Sequence, residues 1–240
     1  MEIIRREKDE EEKKQLRVSI FIPFMFVCLL WLIFIFEFVS GSDFGFYGVF
    51  PRTAEGLRGI IFSPLIHGSF SHLFSNSIPL LVLGGLLFYF YRTISYKVFF
   101  LIWFIDGLGV WLFGREAHHI GASGLVYGMA SFLFFSGILR KNRKLLAIAL
   151  AVVFVYGGLL WGMLPVVESI SWEAHLSGFL AGIFFSLYYL RKGPLDDPLP
   201  EWMIEENDSE ELEKNEPSEN EPMVKYFIKK SNEKEDDSSK

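Results

Sequence analysis

The stretch IGASGLVYG, residues 120–128, decides how this chain folds, because it opens an apolar run that continues to residue 139. An apolar run of about 18 or more residues can cross a hydrocarbon layer of about 30 Å as a helix. Further runs of this kind occur at 18–38, 73–91, 97–113, 145–164 and 172–190. We therefore predict an all-α membrane protein, a bundle of six transmembrane helices.

The positions of lysine and arginine predict the orientation of these spans. Basic residues gather before the first span, between the second and third, between the fourth and fifth, and after the sixth: Arg5, Arg6, Lys13, Lys14, Arg17, Arg92, Lys97, Arg140, Lys141, Arg143, Lys144, Arg191 and Lys192. The opposite connections hold only Arg52, Arg58 and Arg115. Short basic connections stay in the cytoplasm. We expect a multi-pass protein of a prokaryotic cell membrane with both termini cytoplasmic.

Composition divides the chain into three regions. Residues 1–17 form a charged cytoplasmic segment, and residues 18–192 form the six-span domain. Residues 193–240 carry 16 acidic and 6 basic side chains, a net charge of −10. A region so rich in charge and so poor in apolar side chains buries too little surface to fold. We predict a disordered, acidic cytoplasmic tail.

Polar side chains lie at one depth in three of the predicted spans. With this orientation, spans two, four and six begin at the outer face, and their first turns contain His72 and Asn76, Ser123 and Tyr127, and His175. A single Ser, Asn or His often joins helices by hydrogen bonds within a membrane. Residues that only join helices would be scattered across the depth of the membrane. The shared layer therefore favours a functional site that water can reach.

Small residues predict which spans approach closely. GLVYG (Gly124 and Gly128) and GFLAG (Gly178 and Gly182) both have the small-xxx-small pattern that lets helix backbones touch. Close packing of spans four and six would bring the Ser123 hydroxyl within hydrogen-bond reach of the imidazole in the AHLSG motif. A serine becomes a nucleophile when a neighbouring histidine accepts its proton. The pattern therefore predicts a serine hydrolase site.

Other groups in the same layer can support that chemistry. Ser123 opens a helix, so unpaired N–H groups lie beside it, and Asn76 and His72 can supply further donors to an oxyanion. Tyr127, one turn after the serine, can pack against the imidazole of His175. Gly121, two residues before Ser123, and Gly124, directly after it, allow a tight entry turn.

At these residues the sequence resembles the rhomboid family of intramembrane serine proteases. The resemblance covers roughly residues 18–190 and rests on the order of three motifs, HGSFSHLFSN in span two, GASG in span four and AHLSG in span six. One departure lies in the first outer loop, where the family often has Trp-Arg and this chain has Leu57-Arg58. The departure concerns the membrane anchoring of that loop.

The resemblance implies a role for each matching position. It implies that Ser123 is the nucleophile and His175 the base of a dyad, with His72 and Asn76 at the oxyanion. The remaining positions that it assigns are Tyr127 beneath the histidine, Gly121 at the helix entry and His67 in a structural role at the lip of the site. It also implies an endopeptidase that cuts membrane-spanning segments near the extracytoplasmic face, after a small residue. We expect single-pass membrane proteins and the lipid bilayer as partners, no nucleic acid, and no cofactor or metal.

Two rival functions remain open from the sequence. His72, His118, His119 and His175 could converge on zinc, although the chain has no H-E-x-x-H motif. A rhomboid-like pseudoprotease that binds membrane clients, or a small transporter, is the other rival. A pseudoprotease is expected to lose the serine or the histidine, and a transporter to carry polar or broken helices at mid-depth.

Several ionisable residues outside the dyad receive structural interpretations. Asp106, inside span three, is predicted to be a partnered, buried carboxylate. The alternative is that it orients His175 as the third member of a catalytic triad. Glu37, Glu168 and Glu173 are predicted to be solvated at span ends. His118 and His119 are predicted to be surface residues or contacts at the rim of the site.

Overall fold

A computed structural model describes residues 2–140, 142–167 and 170–194. Glu168 and residues 195–240 of the predicted tail lie outside this part. The described chain is helical, and its α-helices are α1 (Glu2–Ser40), α2 (Gly59–Phe62), α3 (Phe70–Phe90), α4 (Ser95–Phe113), α5 (Ser123–Leu139), α6 (Arg143–Tyr156) and α7 (Trp172–Tyr188). Short 3₁₀ helices occur at Gly45–Tyr47, Glu55–Arg58, Ser63–Leu65 and Gly157–Met163.

Among the described residues, three helices are long and apolar enough to cross a membrane, namely Glu10–Ser40 of α1, Phe70–Phe90 and Ser95–Phe113, and Ser123–Leu139 is a shorter apolar helix. Large apolar side chains on the outside of the bundle are exposed, among them Phe36, Phe104 and Phe184. Hydrocarbon, unlike water, solvates such side chains at no cost. The chain is therefore an integral membrane protein.

The predicted fifth span, 145–164, is wrong in its extent. Helix α6 ends at Tyr156, and the chain continues to Met163 as a 3₁₀ helix. Gly157 and Gly158 follow Tyr156 directly, and two glycines in succession remove the helix propensity that would continue the α-helix. Helix α1 is longer than the predicted first span, because it begins at Glu2 and includes the charged segment before that span.

Helix α5 forms the centre of the bundle. It packs against α7, α6, α3 and α4, and most of its side chains are buried. Two glycine pairs set its distance from α7: a β carbon at Gly178 would overlap the carbonyl of Gly124, and one at Gly182 would overlap the carbonyl of Gly128. This contact confirms the prediction that the small-residue patterns bring the two helices together.

The segment between α1 and α3 is bonded to the C-terminal half of α4. The indole N–H of Trp103 donates to the carbonyl of Ile60 over 3.0 Å, and that of Trp111 donates to the carbonyl of Thr53 over 2.8 Å. Arg58 of the Leu57-Arg58 pair donates to the Phe46 carbonyl within the same loop. Arg58 thus stabilises the loop internally.

Candidate active site

Ser123 is the first residue of α5, directly after a turn that only glycine fits. Gly121 has φ +107°, in the left-handed region, and a β carbon there would overlap the imidazole of His72. The Gly121 N–H donates to the carbonyl of Ser63 over 2.8 Å, which fixes the turn to the preceding loop. The chain therefore enters α5 in one orientation and holds Ser123 at the helix terminus.

The Ser123 hydroxyl lies within hydrogen-bond distance of the His175 imidazole. The distance from Oγ to Nε2 is 2.8 Å, and His175 is 8% exposed. The two residues come from α5 and α7, the helices whose glycines are in contact. The structure therefore brings together the predicted nucleophile and base.

The other nitrogen of the imidazole has a backbone partner. His175 Nδ1 lies 2.8 Å from the carbonyl oxygen of Gly162, in the 3₁₀ helix that follows α6. Because a carbonyl oxygen can only accept, the proton of the neutral ring is on Nδ1, and Nε2 has a free lone pair facing Ser123. Gly162 thus selects the tautomer that can accept the serine proton.

Tyr127 fixes the plane of the same ring. Its ring lies parallel to the His175 imidazole, with 4.1 Å between centroids and 9° between planes. Gly162 is packed so closely that a β carbon there would overlap the Tyr127 hydroxyl and lie 3.1 Å from His175 Nδ1. The imidazole is therefore held in one position by its contacts with Tyr127, Gly162 and Ser123.

Helix α3 packs against α5 and carries two of the predicted site residues. Asn76 is buried, and its side-chain Nδ2 makes no hydrogen bond with the described part of the chain. A buried donor without a partner costs about 1–3 kcal/mol. The His72 ring packs on Gly121, at the entry to the serine helix. His72 therefore lies at the start of α5, and Asn76, one turn further along α3, is a buried donor.

His67 supports the same entry turn from the loop before α3. It is buried, and its Nε2 accepts from the N–H of Ala122 over 3.4 Å. Burial is the largest cause that lowers the pKa of His67, to about 3, and the neighbouring His72 lowers it further. His67 is therefore neutral at physiological pH, as an acceptor must be.

Asp106 does not contact the base as a third member of a triad would. The hydrogen bond of His175 Nδ1 goes to the Gly162 carbonyl. The Asp106 carboxyl is buried in α4 against Gly124, where a β carbon would overlap it, and its Oδ1 has no hydrogen-bond partner among the described residues. Asp106 is thus a buried carboxyl as predicted, and its hydrogen-bond partner is the backbone of Gly178.

The prediction that Glu173 is solvated is wrong, and of the two positions predicted for His119 the surface position is wrong. Glu173, in the first turn of α7, is buried and lies 3.3 Å from the Arg115 guanidinium. His119 is also buried, with Nδ1 2.6 Å from the Ser171 hydroxyl and Nε2 3.0 Å from the Arg115 carbonyl. Glu173 and His119 are both buried because the loop before α5 folds over the start of α7.

The four histidines of the zinc alternative do not converge. The His118 ring packs against Phe46 and Phe50, whereas His119 is held by Ser171 and Arg115. In residues 2–140, 142–167 and 170–194, no group of three or more His, Cys, Asp or Glu side chains is placed to hold a metal ion.

Sequence reasoning missed the Gly162 carbonyl and the contacts of Arg115 with α7. A backbone acceptor has no side-chain signature, and its position depends on where α6 stops. The serine in the segment SWEAH did carry a signal, because Ser171 is the N-cap of α7 and accepts from the Ala174 N–H.

Known proteins resemble this chain over the same region. The Rhomboid domain model matches residues 54–192. Uncharacterised proteins of Mycobacterium tuberculosis and Mycobacterium leprae are 40% and 33% identical; the matches cover 70% of this chain in each case, and 73% and 70% of the relatives. The RHOMBOID-like protein 5 of Arabidopsis thaliana is 31% identical over 57% of this chain and 45% of its own length.

Proposed function

Because this chain belongs to the rhomboid family, we propose that it is an intramembrane serine endopeptidase with Ser123 as nucleophile and His175 as base. The observation that carries the proposal is the 2.8 Å contact between Ser123 Oγ and His175 Nε2, with Nδ1 held by Gly162. A hydroxyl beside an oriented, neutral imidazole is the arrangement that acyl transfer requires.

The first chemical step forms an acyl-enzyme. Ser123 Oγ attacks the carbonyl carbon of the scissile peptide bond while its proton moves to His175 Nε2. The imidazolium that results is stabilised by the Nδ1–H bond to the Gly162 carbonyl. The tetrahedral intermediate then expels the amine, which takes the proton from Nε2.

The second step hydrolyses the acyl-enzyme. A water molecule gives its proton to His175 Nε2 as its oxygen attacks the ester carbon, and the proton returns to Ser123 Oγ when the new carboxyl product leaves. The tyrosine stacked on the imidazole, 4.1 Å away, keeps the ring in place through both transfers.

The oxyanion is stabilised from α3 and from the start of α5. Asn76 Nδ2 is a buried donor that awaits a partner, and a developing oxyanion supplies one. The first N–H groups of α5 have no partner within the helix, and the positive end of the helix dipole adds to their effect. We assign His72 to the same site because it packs against the entry turn.

The place of Ser123 at the start of a helix determines where a substrate is cut. We propose six membrane spans with both termini in the cytoplasm, so that the start of α5 faces the extracytoplasmic side. A peptide bond in an intact helix is shielded, and unwinding is least costly where water can satisfy the freed backbone groups. The enzyme therefore cuts single-pass membrane proteins near the outer end of the span, after a small residue.

A rhomboid-like pseudoprotease that binds membrane clients without cutting them is the alternative. Labelling with a serine-directed fluorophosphonate separates the two functions. The protease takes up the probe in the wild type and not in Ser123→Ala or His175→Ala, whereas a pseudoprotease takes up none. A tight chelator leaves labelling unchanged if the serine is the nucleophile.

A further inference from the structure

The loop before α5 is bonded to the first turn of α7 at two places. The Arg115 guanidinium lies 3.3 Å from the Glu173 carboxylate, and the Arg115 backbone N–H donates to the same carboxylate over 3.3 Å. A second guanidinium N–H donates to the carbonyl of Ile170 over 2.9 Å. One arginine thus holds both the last residues before α7 and the first turn of the helix.

His119 makes the second connection. Its Nε2 lies 3.0 Å from the Arg115 carbonyl, which can only accept, so the ring proton is on Nε2 and Nδ1 accepts from the Ser171 hydroxyl over 2.6 Å. The backbone of His119 is also paired with Val49 in the first outer loop. The loop is therefore fixed on both sides.

These contacts join the segments that directly precede the two residues of the dyad. His119 is four positions before Ser123, and Glu173 is two positions before His175. The glycine contact between α5 and α7 sets the separation of the helices, but by itself it leaves α7 free to slide or turn along its axis. The Arg115 and His119 contacts act on the first turn of α7, where a slide or a turn would move His175.

We propose that Arg115, His119, Ser171 and Glu173 form a latch that sets the axial position of His175 against Ser123. The four are positioning residues that do not touch the substrate, and the latch rests on the proposed protease function. The Glu173 side chain is 6% exposed and that of Arg115 is 39% exposed, so the pair is shielded from water more than a surface ion pair is. A displacement of about 1 Å at a reacting group can cost about 100-fold in rate.

The test compares kcat and KM for cleavage by the full-length protein in proteoliposomes. Arg115→Ala and Glu173→Ala should each lower kcat by about 10- to 100-fold with KM within about twofold of wild type. Because the two act on one contact, the double variant should be no slower than the slower single variant. Arg115→Lys keeps the charge but loses the fork of donors, and it should restore part of the loss.

Glu116→Ala is the matched control. Glu116 follows Arg115 in the same loop, and its ion pair with Arg52, at 3.9 Å, joins side chains that are 49% and 81% exposed. This variant removes a carboxylate outside the latch and should keep wild-type kcat. If Glu173→Ala does not fold, Glu173→Gln, which preserves the shape, is judged by the same kcat criterion.

The latch is contradicted if Arg115→Ala and the folded Glu173 variant retain kcat within about twofold of the wild type, or if their losses multiply in the double variant. Failure of the protease function has a different outcome, because the wild type itself would then neither cleave substrate nor take up fluorophosphonate. An active wild type with unaffected variants overturns the latch alone.

Discussion

Gly178 of α7 packs directly on the backbone of Gly124 in α5, where no β carbon can be accommodated. The residue before Gly124 is Ser123, and His175 lies one turn before Gly178. The contact between two glycines therefore determines whether a hydroxyl and an imidazole on separate helices can share a proton. The first prediction follows from this contact.

Gly178→Ala should abolish most of the activity, because the added methyl group overlaps the Gly124 carbonyl and pushes the helices apart. We expect a loss of about 100-fold in kcat/KM and an overpacking cost of about 1–3 kcal/mol in stability. Gly85→Ala, in α3, is the control. A β carbon at Gly85 would have room, because the atom nearest to it, the Ser19 carbonyl oxygen, would be 4.0 Å away. Equal activity of the two variants would refute the glycine contact as a determinant of the site.

Asn76→Ala should separate catalysis from stability. Removal of an oxyanion donor costs on the order of 100-fold in kcat. Because Asn76 Nδ2 has no partner among the described residues, its loss should not lower the melting temperature. Ser77→Ala is the opposite case, since Ser77 accepts from the Trp31 indole N–H and donates to the Leu73 carbonyl. That variant should lose stability and keep kcat; a large stability loss in Asn76→Ala would assign Asn76 a structural role.

Asp106→Asn should retain most of the wild-type kcat. The His175 Nδ1–H donates to the Gly162 carbonyl, so the base does not depend on the Asp106 carboxylate. An amide of the same shape preserves the packing against Gly124. Steady-state cleavage measures the effect, and an Asp106→Asn variant as inactive as Ser123→Ala would require a catalytic triad in place of the dyad.

Acid should destabilise the fold through His67. Burial lowers the pKa of His67 from 6.5 to about 3 in the folded protein, whereas the unfolded chain takes up the proton at the ordinary value. The unfolded state therefore binds more protons between these values. Stability is lost as pH falls below about 6.5, by up to about 1.4 kcal/mol for each pH unit. His67→Gln should weaken the fall in melting temperature between pH 7 and pH 5; an unchanged fall would assign the acid sensitivity to other groups.

Much of the site was predictable because its residues repeat at helical spacing. The glycines of GLVYG and GFLAG identified the two helices that touch, and the polar layer identified the residues at their N-terminal ends. The apolar runs placed α3, α4, α5 and α7 within a few residues of their observed bounds. These features depend on local pattern and on the thickness of a bilayer.

The remaining features depend on contacts between distant segments. The burial of Glu173 depends on Arg115, which lies 58 positions earlier in the chain. The Gly162 carbonyl reaches His175 because α6 ends early, at Tyr156, and the chain tightens into a 3₁₀ helix. No residue type marks a backbone acceptor, so the tautomer of the base was beyond sequence reasoning.

The central claim is that Ser123 and His175 cut a membrane-spanning substrate near its outer end. The most direct measurement is incubation of the purified protein, in proteoliposomes, with a single-pass substrate, followed by mass spectrometry of the products. We predict one main cut near the extracytoplasmic end of the span, absent in Ser123→Ala and in His175→Ala. Cleavage by Ser123→Ala at a substantial rate, or cleavage mainly in the cytoplasmic half of the span, would contradict the account.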